Sequence, residues 1–93
     1  MLKFKTSLKL RALEENALKD GLEYGEDLLD NGALFIGYKN SQAMMEGPGI
    51  FIWYDKTKYE GSFKANMRSG YGKIKYTNGD VYEGEWENDQ PNG

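Results

Sequence analysis

The sequence predicts a mainly β protein of stacked antiparallel β-hairpins, preceded by an N-terminal helical or extended segment. The chain has 93 residues, which allows one small domain. Twelve glycines and only two prolines accompany the aromatic residues, of which all but Phe4 follow residue 20. Such a composition is typical of regularly turned strands rather than of disorder. A repeat with a period of 23 residues organises the stretch 31–93.

Residues 3–20 fit two periodicities. Alternation of apolar or small residues with polar ones favours a strand, whereas Leu10, Leu13 and Ala17 share one helical face. Residues 8–19 are mostly strong helix formers, and a glycine follows where a helix typically ends. We therefore expect a helix over residues 8–19.

The stretch 20–30 is either a turn-rich connection or a vestigial hairpin, and the sequence leaves both alternatives open. The strand at 49–54 is apolar on both sides, so it requires a second layer. An N-terminal helix that caps the open end of the stack would supply one, and a docked protein is the alternative. On this interpretation residues 1–30 form a capping and linking segment.

The repeat is visible in regular spacings. The segment Tyr59 to Phe63 recurs as Tyr82 to Trp86, 23 residues later. Three turn signals follow at intervals of 24 and 23 residues: Asn31-Gly32, Asp55-Lys56 and Asn78-Gly79. Asn-Gly flanked by alternating segments predicts a hairpin with a two-residue type I′ turn, in which both turn residues have positive φ. The units are 31–58, which is degenerate, 59–81, which is complete, and 82–93, which is partial.

Glycines alternate with aromatic residues on one side of the predicted strands. Every second residue of 70–76 and of 82–86 falls on that side. A glycine between two aromatics leaves a gap into which a neighbouring ring can insert. We therefore predict that Gly61 and Gly84 are packing positions rather than turn positions.

These residues resemble the MORN motif, the membrane occupation and recognition nexus repeat. Its pattern is Tyr-x-Gly-x-Trp/Phe, a short loop, Gly-x-Gly, and a strand that leads to an Asn/Asp-Gly turn. The complete unit fills this pattern with Tyr59, Gly61, Phe63, Gly70, Gly72, Asn78 and Gly79. The resemblance implies a twisted single-layer antiparallel sheet of stacked hairpins. It also implies a scaffold, tether or lipid- or protein-binding module that supplies no catalytic residues of its own.

Residue usage argues against catalysis. The chain has no Cys and no His, which removes thiolate nucleophiles, Cys/His zinc sites and imidazole bases together. Acidic pairs such as Glu14-Glu15 show no EF-hand spacing, and Gly70-Tyr71-Gly72 lacks the third glycine of a phosphate loop. We therefore predict no enzyme activity, no cofactor and no metal site.

Charge and hydropathy limit the classes of partner that the chain can bind. The net charge of −3 argues against nucleic acid as a partner, and no apolar run is long enough to span a bilayer. Residues 1–13 are basic and lack acids, which fits either an organelle presequence or a solvated basic face. We expect a cytoplasmic protein associated with the cytoskeleton or a cilium, and import into an organelle stays open.

The candidate binding residues form an aromatic row: Phe51, Trp53, Phe63, Tyr76, Tyr82 and Trp86. In a single-layer sheet this row is both core and groove, so it can dock a helix or an extended peptide of a protein partner. The strand at 81–87 leaves an open edge, which we expect a different chain or a further repeat to cover. The alternative is weak contact with anionic lipid through Lys64, Arg68, Lys73 and Lys75, in a module associated with a phosphatidylinositol phosphate kinase.

Overall fold

The computed structural model describes residues 3–4 and 8–92. In this part of the chain one helix, α1 (Leu8–Lys19), precedes a single antiparallel sheet of seven strands. The strands are β1 (Glu23–Leu28), β2 (Leu34–Lys39), β3 (Met45–Ile52), β4 (Lys58–Lys64), β5 (Met67–Lys75), β6 (Val81–Glu87) and β7 (Gln90–Pro91). Each strand pairs with the next along the chain. The predicted class, stacked hairpins with an N-terminal helix, is confirmed.

Helix α1 has the predicted bounds. It ends where Gly21 adopts a positive φ of 77°, which reverses the chain so that the Leu22 N–H donates to the Ala17 carbonyl at 3.0 Å. The buried residues Leu10 and Ala17 pack with Tyr38 of the sheet. The helix therefore lies against one side of the sheet, where it supplies the second layer, and not at the open end of the stack. We call this the helix side.

The stretch 20–30 contributes a strand. β1 pairs with β2 in a register that places Gly25 opposite Gly37. Of the two alternatives, the structure has the hairpin. β1 is the first strand of the sheet, and its outer edge has no neighbour among the described residues.

A carboxylate lies buried between α1 and the sheet. Glu14 has no solvent exposure, and its oxygens accept hydrogen bonds from the Tyr38 hydroxyl at 2.6 Å and from the N–H groups of Lys3 and Phe4 at 2.7 and 3.1 Å. Burial raises the pKa of Glu14, but the three hydrogen bonds together outweigh it and hold that pKa below its usual value. A single side chain thus joins the N-terminal residues, the helix and the sheet.

The predicted turns lie in the expected places, but their type differs. Gly32 and Gly79 have positive φ of 85° and 93°, whereas Asn31 and Asn78 do not have positive φ. Each asparagine side chain instead accepts a hydrogen bond from the N–H two residues further on, at 2.9 Å in both turns. The result is a three-residue loop with one left-handed residue. The type I′ expectation is wrong at these positions.

Two-residue turns of type I′ geometry lie at the opposite end of the sheet. Residues 65–66 connect β4 to β5 with φ of 50° and 70°, and residues 88–89 connect β6 to β7 with φ of 51° and 70°. Both pairs have the two left-handed residues that a type I′ turn requires.

The second residue of each such turn bonds back to the preceding repeat. Asn66 Oδ1 accepts the N–H of Met45 at 2.8 Å, and Asp89 Oδ1 accepts the N–H of Arg68 at 2.8 Å. In return the N–H of each turn residue donates to the carbonyl of the same partner at 3.1 Å. Donor and acceptor are 21 residues apart in both cases, so this is a repeated link between hairpins.

We expect Asn66→Ala to lower the free energy of unfolding by about 1–2 kcal/mol, because alanine loses the bond to Met45 and tolerates positive φ less well. Asn66→Asp is the matched control, since aspartate keeps the acceptor and occupies the same place in the next repeat. Urea denaturation compares the two variants. Equal stabilities would show that the link contributes nothing.

Candidate functional site

A row of glycines crosses the sheet and positions the aromatic residues. Adjacent strands place glycine opposite glycine, in the order Gly25, Gly37, Gly49, Gly61, Gly72 and Gly84. A Cβ atom at Gly49 would lie 2.7 Å from the Phe35 ring, and one at Gly61 would lie 2.7 Å from the Tyr59 hydroxyl. Rings therefore lie directly over bare backbone. The predicted packing role of Gly61 has this geometric basis, and a Cβ at Gly84 would likewise meet the Tyr82 hydroxyl at 2.8 Å.

The rings over this row form one cluster. We call this surface the aromatic side; its buried residues are Phe35, Tyr59, Phe63, Ile74 and Trp86. Neighbouring rings meet edge to face with centroids 5.1–5.5 Å apart, the arrangement that the aromatic quadrupole favours. The cluster is continuous from β2 to β6.

Hydrogen bonds hold the polar ends of the rings in repeating positions. The Tyr59 hydroxyl donates to the Ser62 carbonyl at 2.8 Å, and the Tyr82 hydroxyl donates to the Glu85 carbonyl at 2.9 Å. The Trp86 indole N–H donates to the Gly72 carbonyl at 3.1 Å. Burial raises the pKa of Tyr59, so this hydroxyl stays protonated across the physiological range.

The structure brings five of the six predicted binding residues together. Phe63 and Trp86 are buried in the cluster, and Phe51, Trp53 and Tyr82 are half-buried against it. Tyr76 is 43% exposed and lies outside the cluster. β5 ends one residue earlier, so the alternation that assigned Tyr76 to this side no longer applies.

The six predicted binding residues omit two rings and one cation of this side, which are Phe35, Tyr59 and Arg68. Phe35 and Tyr59 occupy the first position of the Tyr-x-Gly pattern, so the motif could have included both. Arg68 carries no such signal, because the corresponding positions one period away are Met45 and Pro91.

Arg68 lies on the aromatic side and is held there. Its guanidinium carbon is 4.6 Å from the centroid of Trp86 and 5.5 Å from that of Trp53. Its Nε donates to Asp89 Oδ1 and its Nη2 donates to the Asp89 carbonyl, both at 2.9 Å. Burial raises the pKa of Asp89, but the Arg68 hydrogen bonds and charge outweigh it and hold that pKa below its usual value.

A cavity of about 220 Å³ opens between these groups. It is lined by Met45, Phe51, Trp53, Phe63, Asn66, Arg68 and Asp89. Four apolar side chains and three polar ones share this lining, so an apolar group that enters it would meet polar atoms as well. The two charged groups are already paired with each other.

The four cations considered for lipid contact do not form one basic surface. Arg68 is bound to Asp89 on the aromatic side. Lys73 lies on the helix side, where it is flanked in register by Glu60 on β4 and Glu83 on β6. Charges therefore alternate across the strands at Lys73, whereas Lys75 lies opposite Lys58. No helix in the described part of the chain is long and apolar enough to cross a bilayer.

The fold and its packing define a class of protein: a repeat protein in which each hairpin carries an aromatic-x-Gly strand opposite a glycine of the next strand. The family model of the MORN repeat matches residues 41–58, 59–81 and 82–93, more than half of the chain. The chain belongs to the MORN-repeat family. The match begins at residue 41, so β2 lies before it. A comparison with curated proteins found no match.

Proposed function

We propose that this chain is a non-catalytic interaction module that binds a helix or an extended segment of another protein on the aromatic side of its sheet. One observation carries the proposal: α1 covers the opposite side, and no second layer covers the aromatic side within the described residues. The half-buried rings Phe51, Trp53 and Tyr82 are therefore available to a partner.

The chemistry of these rings suits protein recognition. Tryptophan, tyrosine and arginine are the residues that most often dominate binding energy at protein interfaces. Trp53 and Arg68 lie next to each other at the rim of the cavity, where they offer an apolar ring and a cation that is already oriented. Phe51 and Trp53 are already packed against the cluster. A partner that inserts an apolar side chain against them therefore causes little loss of side-chain entropy in this chain.

A capture experiment with matched variants tests the function. The wild-type chain, Trp53→Ser and Leu8→Ser are immobilised, and proteins retained from a cytoskeletal or ciliary extract are quantified by mass spectrometry. Leu8 is 80% exposed on α1, away from the aromatic side, so its replacement serves as the control. We expect proteins that wild type and Leu8→Ser retain and that Trp53→Ser loses at least about tenfold.

Liposome sedimentation tests the lipid alternative. The mixed charges of the helix side support no preference for anionic vesicles over neutral ones. Sedimentation with phosphoinositide vesicles only, together with a capture profile that Trp53→Ser leaves unchanged, would overturn the proposed function in favour of lipid targeting.

A further inference from the structure

The outer edge of β1 presents unpaired backbone groups. The Leu29 N–H donates to the Ala33 carbonyl at 2.7 Å, which fixes the phase of the β1–β2 ladder. Because hydrogen-bonded positions alternate along an antiparallel strand, the odd residues of β1 bond to β2 and the even ones face outward. The N–H and C=O groups of Tyr24, Glu26 and Leu28 therefore form the edge, with no partner strand among the described residues.

The aromatic side is also incomplete at this edge. A Cβ at Gly37, Gly49, Gly61, Gly72 or Gly84 would lie under 3 Å from another atom, but one at Gly25 would have nothing within 4 Å. Phe35 covers Gly37 on its own strand and Gly49 on the following strand, and Tyr59 covers Gly61 and Gly72 in the same way. β1 carries no ring on this side, so by that rule the group that covers Gly25 belongs to a strand on the outer edge of β1.

The chemistry of the empty position is acidic. The cross-strand neighbours of Phe35 are Phe51 on β3 but Asp27 on β1, so a carboxylate takes the place of a ring. Glu23, two residues before Gly25, also lies on the aromatic side, and Glu26 points to the helix side. Among the described residues only Asp27 of these three acids forms an ion pair, with Lys39. A cavity of about 350 Å³ beside Glu23, Gly25 and Asp27 is closed on its inner side by Lys39 and the β2–β3 connection.

We propose that the outer edge of β1 binds an extended basic segment of a partner protein as an added strand. In antiparallel register the segment places three alternate residues opposite Asp27, Gly25 and Glu23. An arginine opposite Asp27 covers Gly25 with its side chain, a small residue stands opposite Gly25, and a second cation faces Glu23. This edge is separate from the aromatic cluster used in the proposed function.

Charge argues against a second copy of the chain as the occupant. In the register that continues the glycine row, Glu83 on β6 of a second copy would face Glu26, and β1 of a second copy would place Glu23 opposite Asp27. An added strand with two cations instead has the opposite sign at Glu23 and at Asp27. Main-chain hydrogen bonds supply affinity and the alternate side chains supply selectivity, as in other cases of strand addition.

The test uses two ten-residue peptides with blocked ends, one containing Arg-Thr-Gly-Thr-Arg and one containing Glu-Thr-Gly-Thr-Glu. Each is titrated into the ¹⁵N-labelled full chain. We expect the arginine peptide to bind and to shift the amide signals of residues 23–28. Its affinity should fall as the salt concentration rises. The glutamate peptide should not bind. Binding of both peptides alike, or shifts confined to other strands, would overturn the proposal.

Two variants of Glu26 separate the contribution of the backbone N–H to peptide binding from that of the side-chain charge. Glu26→Pro removes an outward N–H that the β1–β2 ladder does not use. The affinity of the variant for the arginine peptide should therefore fall at least about tenfold. Glu26→Gln keeps that N–H and should weaken binding less. If the proline variant does not fold, Glu23→Lys with Glu26→Lys reverses the charge and should abolish binding. Sedimentation that shows edge-dependent self-association of the wild type would assign the edge to a second copy and contradict the proposal.

Discussion

Gly61→Ala is expected to lower the free energy of unfolding by about 3 kcal/mol, at the upper end of the usual cost of overpacking. A methyl group at this position would lie 2.6 Å from the Tyr71 carbonyl oxygen and would also meet the Cα atom of Gly72. Both obstacles are backbone, so no side-chain rotation relieves them. The strands β4 and β5 would have to separate, which disturbs the cluster around Tyr59.

Gly25→Ala is the matched control for this prediction. Gly25 belongs to the same row, and a methyl group there meets nothing within 4 Å. Because alanine restricts the unfolded chain more than glycine, we expect this variant to be neutral or more stable by up to about 1 kcal/mol. Urea denaturation of the two variants measures the difference. Equal effects at both positions would mean that close packing over the glycine row does not stabilise the fold.

Glu14→Ala is expected to lower the free energy of unfolding by about 2–3 kcal/mol, because it leaves the Tyr38 hydroxyl and two N–H groups without their acceptor. Glu15→Ala is the control, since the neighbouring carboxylate is exposed and makes no such contacts. We expect that variant to stay within about 0.5 kcal/mol of wild type. Alanine is the better helix former, so helix propensity cannot cause a loss at either position. A loss of equal size at both positions would therefore show that the burial and hydrogen bonds of Glu14 add no stability.

The same carboxylate makes stability depend on pH. The folded pKa of Glu14 lies below its usual value of 4.5, so its stabilisation is fully present above that pH and declines as the pH falls further. The difference between wild type and Glu14→Ala should therefore shrink on acidification below pH 4.5. A difference that stays constant or grows in acid would contradict the ionised, hydrogen-bonded state of Glu14.

The fold could be predicted from the sequence because the repeat specifies local structure many times over. Local sequence predicts the strand at each Tyr-x-Gly pattern, the reversal at each turn signal and the helix over residues 8–19. The pairing of neighbouring strands is compatible with each of these local conformations. The turn type was assigned incorrectly because Asn-Gly suits more than one hairpin loop, and the asparagine side chain decides between them by bonding two residues ahead.

The missing parts of the site depend on contacts between distant residues. Glu14 resembles a solvated helix acid in sequence, although Leu10, Glu14 and Ala17 share one helical face. Its burial is favourable only because Lys3, Phe4 and Tyr38 donate hydrogen bonds to it. Arg68 reaches the aromatic side because Asp89, 21 residues later, holds its guanidinium against Trp86. No local pattern encodes either pairing.

Acrylamide quenching of the two tryptophans, each studied in a variant with the other replaced by phenylalanine, tests the central claim most directly. The open aromatic side leaves Trp53 half-buried and Trp86 only 3% exposed. We predict that acrylamide quenches Trp53 in the free chain, that Trp86 is protected, and that a protein recovered by capture then protects Trp53. Equal protection of both tryptophans in the free chain, or quenching of Trp53 that a bound partner leaves unchanged, would contradict the account.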